Sequence, residues 1–178
     1  MDLARFIVGE VDHDSIRGLS VPPSDEPNTV GHLGCLPSSV ANTEHKLPAE
    51  QRMPRCTAVN WRFKNGAIGN LLHGLLMQGD DYDARLEILC DGLRVRVEKP
   101  YSAKPRLHIM RGKESEQVVE FPDDDPYLNE DTEFINAVRA HLDGKTSKPV
   151  QCTYSDGVST YALTYKIREV TTAGNTGN

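Results

Sequence analysis

The sequence predicts an α+β domain: an open, largely antiparallel β-sheet of about six strands, with helices on one face and the other face left for oligomer or partner contact. Three observations predict it. Asn65-Gly66 and Asp91-Gly92 each separate two apolar runs, Cys56 to Phe63 from Ala67 to Met77 and Ala84 to Cys90 from Leu93 to Val97. Such dipeptides signal β-hairpins, because a two-residue type I′ loop needs positive φ at both positions. The strands are grouped ahead of two helical stretches, the pattern of a sheet with helices segregated on one side. Finally, the run Ala67 to Met77 is apolar on both faces, so it calls for cover on both.

The hairpins fix an expected register. With Asp91-Gly92 as the loop, Glu87 faces Arg96 and Arg85 faces Glu98 on one side, while Ile88 faces Val95 and Leu86 faces Val97 on the other. Opposite charges meet on one face and aliphatics on the other, as cross-strand pairing favours. With Asn65-Gly66 as the loop, Phe63 faces Ile68, Trp61 faces Asn70 and Val59 faces Leu72, which makes that face the core face. The second face then carries Cys56, Ala58, Asn60 and Arg62 against Gly69, Leu71, His73 and Leu75, and its apolar half is expected to be buried against a second copy.

In chain order, Asp2 to Gly9 reads as the end of a helix, with Leu3, Phe6 and Ile7 as its stripe and Gly9 as its cap. A helix of about two turns does not stand alone, so the chain is expected to continue something upstream. His13 to Pro54 is different: it holds six of the eleven prolines. It is read as a Pro-rich loop insertion with low order around Ser24 to Thr43 and one short strand within Val11 to Val21. Arg106 to Met110 and Gln117 to Phe121 form a further strand pair around Arg111-Gly112-Lys113. Asp123-Asp124-Asp125 before Pro126 is helix N-terminal chemistry. The helix runs from about Asn129 to Leu142 with Phe134, Ile135, Val138 and Leu142 as a core stripe. A last helix, Ser155 to Glu169, puts Val158, Tyr161, Ala162 and Tyr165 on one face. The domain therefore spans residues 1–170, and 171–178 form a disordered tail.

Composition narrows the function classes. Hydrophobic residues make up 38% and charged ones 26%, which suits a globular domain. The net charge of −6 argues against nucleic acid and anionic membrane as partners. No run approaches the roughly 18 apolar residues of a membrane span. Met1-Asp2-Leu3-Ala4-Arg5, acidic at once, does not read as a signal peptide, and none is expected. Cys35, Cys56, Cys90 and Cys152 are far apart with no C-x-x-C, so reduced thiols in a cytoplasmic protein are expected, with neither disulfides nor zinc. There is no G-x-G-x-x-G, no P-loop, no H-E-x-x-H and no nucleophile elbow. No catalytic residue and no metal site emerge. His73, in mid-strand on the half-apolar face, is either an interface histidine or a substrate-facing one. Asp2 and Arg5 stand at the i, i+3 spacing of an ion pair, and Tyr82-Asp83 occupies a turn between strands.

Several blocks resemble the Gfo/Idh/MocA family of NAD(P)-dependent oxidoreductases. They are Trp61 to Gly69, Tyr82 to Ile88 with Asp91-Gly92, Glu133 to Val138, and Tyr154 to Val158. The resemblance covers roughly Asp2 to Val170 and lies in the C-terminal substrate and oligomerisation domain of such enzymes. It implies that Asp2-Leu3 matches the end of the family's D-x-x-x-H-x-x-D-L helix, that Asp2 and Tyr82 join His73 as substrate-binding candidates, and that the substrate is sugar- or polyol-like. It implies NAD or NADP for the full-length enzyme, and no cofactor bound by this chain alone, because the glycine fingerprint and the family's lysine and histidine are not in it. A homo-oligomer formed through the sheet face is the expected assembly. The alternatives are a non-catalytic, sheet-mediated interaction protein and a small-ligand binding module.

Overall fold

A computed structural model describes residues 1–32, 44, 46–74, 83–102, 104–146 and 151–173. The fold is α+β, and among the described residues it has seven antiparallel strands in two hydrogen-bonded sheets, of three and four strands, and three α-helices. The chain forms two units, one from Met1–Asp80 with Tyr154–Asn178 and the other from Asp81–Thr153.

The first unit begins with helix α1, Asp2–Val8, closed by Gly9 at φ 114°. Strand β1, Val11–Val21, pairs with β2, Cys56–Phe63, which pairs with β3, Ile68–Gly74. Helix α3, Tyr154–Ala173, returns to this sheet. The core is Val11, Ile16, Val59, Trp61, Phe63, Leu163 and Ile167, with Met1, Ala4, Val8, Leu71 and Val170 against it. One face of the sheet thus meets the inner faces of α1 and α3. Strand β2 alternates strictly between buried Thr57, Val59, Trp61 and Phe63 and exposed Ala58, Asn60 and Arg62, the period of two that a half-covered strand requires.

Strand β1 alternates poorly in sequence because it carries a wide bulge. Its pairing with β2 jumps from Asp12↔Arg62 to Arg17↔Asn60. The Ser15 hydroxyl donates to Asp12 O at 2.6 Å and accepts from Arg62 N at 2.8 Å, and Arg17 Nη1 donates to the carbonyls of Asp14 and Ile16. With its polar groups satisfied in this way, the bulge drops Ile16 fully into the core.

The hairpin between β2 and β3 differs from expectation. Phe63 N donates to Ala67 O at 2.8 Å and Gly66 N to Phe63 O at 2.9 Å, which closes a three-residue loop, Lys64 to Gly66. Gly66 has φ 93°, whereas Asn65 is not in the positive-φ region. The physical reason is that the Asn65 side chain is committed elsewhere. Its Nδ2 donates to Val8 O at 2.7 Å, tying down the end of α1, and its Oδ1 accepts from Ala67 N at 3.0 Å. The register consequently shifts by one residue: Arg62 faces Ile68, Trp61 faces Gly69 and Val59 faces Leu71. A one-residue slip turns every β3 side chain over. Leu71, expected outside, is against the core, while Ile68 and Leu72, expected inside, are 70% and 75% exposed. Gly69 suits its place opposite Trp61, because a Cβ there would sit 2.5 Å from the indole ring.

Two stripes also face the other way. In α1, Leu3, Phe6 and Ile7 are exposed, and Ala4, Arg5 and Val8 turn inward. In α3, Val158, Tyr161 and Tyr165 are exposed, with Tyr161 and Tyr165 stacked at 6.4 Å, and Leu163, Ile167 and Thr171 are buried. Periodicity identifies residues that share a face, but both faces of these helices carry apolar residues, so periodicity does not choose between them. Thr171, expected in a disordered tail, is buried in α3 with its hydroxyl donating to Ile167 O at 2.9 Å; residues 174–178 lie outside the described residues.

Of the Pro-rich segment, Val11–Val21 is a full strand, Ser24 to His32 is closed by Ser24 N donating to Gly31 O at 2.6 Å, and Ala49–Gln51 is a 3₁₀ turn. The rest of Ser24 to Thr43 lies outside the described residues.

The second unit holds β4, Arg85–Cys90, β5, Leu93–Glu98, β6, Arg106–Arg111, and β7, Gln117–Glu120, paired in that order. Its first hairpin has the expected register, Arg85↔Glu98 through Ile88↔Val95, with Gly92 at φ 69°; Asp91 is not in the positive-φ region. One sheet face is aliphatic, with Leu86, Ile88, Val95, Val97, Leu107 and Ile109. The other is a ladder of charge, with Arg96 on Glu98 at 3.2 Å and Arg106 on Glu120 at 3.1 Å. Helix α2, Pro126–Leu142, starts at Asp125, whose carboxylate accepts from Leu128 N at 3.0 Å, with Pro126 in the first turn. Its stripe, Phe134, Ile135, Val138 and Leu142, is exposed, and none of its residues is buried. The sequence marks the stripe as one to be covered, and no described residue covers it.

Candidate functional site

The candidate site is built on Asp2, at the first turn of α1. Thr160, on α3, donates its hydroxyl proton to Asp2 Oδ1 at 2.6 Å. That hydroxyl is itself oriented, because Arg5 Nη1 donates to its oxygen at 2.7 Å. The guanidinium, whose side chain is 6% exposed, also donates to Asp156 O at 3.0 Å and grips Glu10 through Nε and Nη2. Arg5 Nη1 lies 3.5 Å from Asp2 Oδ1, the ion pair expected from the spacing. The Arg5 pKa is raised, first by the hydrogen bond to Glu10 and then by the charges of Glu10, Asp2 and Asp156, against burial, which lowers it. The cation is therefore permanent. It is lost only as pH rises through its raised folded value, far above neutrality.

This arrangement fixes a carboxylate without hiding it. The Asp2 side chain remains 52% exposed, with acceptor capacity free for a hydroxyl or amide donor. One oxygen is aimed by two partners from different elements, as preorganised binding requires.

The other two sequence candidates do not join it. His73 pairs with Thr57, which pairs with Ser20, whose hydroxyl donates to Thr171 O at 3.3 Å. Asp2 is at Thr160, and a helix rises about 16 Å between those two positions. His73 therefore stands at the opposite end of the sheet from Asp2, exposed. The expectation that it shares a face with Cys56 and Ala58 is overturned by the register shift: its ladder position is on the Val59 side. Tyr82 lies outside the described residues. Sequence reasoning missed Thr160 and Glu10. Glu10 follows a glycine cap and Thr160 is mid-helix, and no local pattern links either to Asp2. Among the described residues there is no cluster of metal-ligand side chains, Cys56, Cys90 and Cys152 are free thiols, and no helix is long and apolar enough to cross a membrane.

The family model described as "Putative oxidoreductase C terminal domain" matches residues 1–93. Two uncharacterized proteins of Schizosaccharomyces pombe are each 35% identical to this chain, over 164 and 170 residues, or 92% and 94% of it. The chain spans about two fifths of their length, 40% and 39%. Among solved structures, UDP-N-acetylglucosamine 3-dehydrogenase GnnA from Acidithiobacillus ferrooxidans superposes with a TM-score of 0.67 at 18% identity, covering 97% of this chain and 44% of that one. The WlbA dehydrogenase from Bordetella pertussis, solved with NADH and UDP-GlcNAcA, does so with a TM-score of 0.53 at 15% identity, covering 97% and 40%. These two share the fold.

Proposed function

Since the chain belongs to the oxidoreductase C-terminal domain family, of the Gfo/Idh/MocA kind that its motifs resemble, we propose that it is the substrate-facing and subunit-pairing half of an NAD(P)-dependent oxidoreductase acting on a sugar- or polyol-like substrate. The observation that carries this reading is that the first unit is apolar on both of its outer surfaces. Beyond the helices stand Leu3, Phe6, Ile7, Val158, Tyr161 and Tyr165; beyond the sheet stand Leu19, Ile68 and Leu72. A slab of this kind calls for protein on both sides. The helix side suits a nucleotide-binding domain and the sheet side a second copy. Asp2, at the head of the helix layer, is the group this half offers to a substrate hydroxyl, with Arg5 and Thr160 holding it. The nicotinamide and the proton-transferring base come from the nucleotide-binding half, since the 178 residues contain no glycine fingerprint. Unpaired Cys56, Cys90 and Cys152 fit a reducing, cytosolic setting.

The two bacterial dehydrogenases of similar fold, one a UDP-N-acetylglucosamine 3-dehydrogenase and the other solved with UDP-GlcNAcA, suggest a sugar nucleotide as probe. On titration with UDP-N-acetylglucosamine, the amide resonances of Arg5 and Thr160 are expected to shift, and to shift less in Asp2→Asn. Calorimetry with NAD and NADP is expected to show no saturable binding at micromolar concentration. Saturable nicotinamide binding by this chain, or indifference of Arg5 and Thr160 to the probe, contradicts the reading. The alternative of a non-catalytic, sheet-mediated interaction protein rests on the same Leu19, Ile68 and Leu72 surface, and the probe titration separates the two.

A further inference from the structure

The second unit contains a cleft of about 410 Å³ lined by Glu98, Lys99, Ser102, Lys104 and Arg106, within the range of small-ligand sites. It forms where β5 turns into β6. Its composition is unusual for a chain of net charge −6. Neither the Lys99 nor the Lys104 ammonium has an ion-pair partner among the described residues. Arg106 is engaged by Glu120 through Nε at 3.1 Å, which leaves its terminal nitrogens as donors. The Glu98 carboxylate also lines the cleft, ion-paired at 3.2 Å from Arg96 Nε and 3.3 Å from His108 Nε2. Arg96 also stands 3.8 Å from Glu116, so the cations Lys99, Lys104, Arg106 and Arg96 outnumber the carboxylates Glu98, Glu116 and Glu120 by one.

The loop is built in a manner that ordinary surface lysines do not require. Lys99 has φ 50°, in the left-handed region, where glycine would be unstrained, and it precedes Pro100, which disfavours helical backbone at that position. Lys99 N donates to Ala84 O at 2.9 Å and Ser102 N to Lys99 O at 2.9 Å, so both ends of the turn are anchored. The Ser102 hydroxyl accepts from Lys104 N at 3.2 Å, which spends an acceptor and leaves its proton to donate. Prolines at 100 and 105 stiffen the segment. A backbone outlier that positions a charged side chain beside other unpartnered donors is the kind of strain that marks binding sites.

We propose that this cleft binds a phosphate group, the phosphoryl or diphosphoryl portion of a small-molecule ligand, with Lys99, Lys104 and Arg106 supplying charge and Ser102 a neutral donor. The site goes beyond the oxidoreductase reading and does not use Asp2, so its failure leaves that reading untouched, and the converse also holds.

The test is titration of the whole chain with inorganic pyrophosphate at pH 7.5, followed by amide shifts and by phosphorus resonance. The expected result is saturable, submillimolar binding, with shifts centred on Glu98 to Arg106, that weakens as sodium chloride rises. Lys99→Gln with Lys104→Gln is expected to weaken binding by about tenfold or more. Lys104→Gln alone, at an exposed loop position, is expected to weaken it less, and it serves if the double variant is unstable. A control, Lys64→Gln with Lys113→Gln, removes the same net charge elsewhere and should leave binding intact. Equal weakening in variant and control, shifts spread over the surface, or no saturation overturns the proposal.

Discussion

At the scale of the residue, Arg5 is the side chain on which the candidate site depends. A buried guanidinium satisfied by Glu10, Thr160 and the Asp156 carbonyl locks α1 to α3 and orients the hydroxyl that holds Asp2. Arg5→Met keeps much of the buried volume but strands those acceptors, so it should lower stability by about 2 kcal/mol. Thr160→Val is nearly isosteric and should cost only about 1 kcal/mol. Denaturant unfolding measures both. If Arg5→Met unfolds with the parent, the network does not tie the helices together. The Asp2–Arg5 pairing was legible in the sequence, because i, i+3 spacing on a helix is local. Thr160 was not, because more than 150 residues of chain separate it from Asp2, and only folding brings the two together.

At the scale of the element, the two hairpins show what a turn dipeptide does and does not determine. Asp91-Gly92 gave the register of β4 and β5 correctly, with Arg85 opposite Glu98 and Glu87 opposite Arg96, although the ion pairs that form are Glu87 with Arg94 and Arg85 with Asp83. Asn65-Gly66 gave a hairpin but not its loop length, because the Asn65 side chain bonds to Val8 and Ala67 and the loop takes Lys64 as well. The shift is testable by a pair of neighbours. Leu71→Asp places a charge against the core and should cost at least about 2 kcal/mol. Leu72→Asp, at a site 75% exposed, should change the chain's own stability by less than about 0.5 kcal/mol. Thermal melting at low protein concentration reads both, and the reverse ranking would restore the two-residue loop. The same limit explains the helices: apolar periodicity found α1, α2 and α3, but it could not say which apolar stripe faces the sheet.

At the scale of the whole molecule, the α+β class and the strands-before-helices order were legible because they follow from composition and periodicity over long windows. The expected surplus of apolar surface was also legible, although the residues that carry it differ in part: Ala58 stands on it as expected, Leu19, Ile68 and Leu72 replace Leu71 and His73, and Leu75 lies outside the described residues. Leu19, Ala58 and Leu72 are consecutive cross-strand partners, so they form one row across all three strands. A contiguous row of this kind, facing outward on the sheet, suits a symmetric partner bearing the same row. The most direct measurement is light scattering on the parent chain and on Leu72→Asp at tens of micromolar. The subunit-pairing account predicts a parent at twice the 19.8 kDa chain mass, or a higher multiple, and a variant at the chain mass. A parent that scatters as a single 19.8 kDa chain would contradict it.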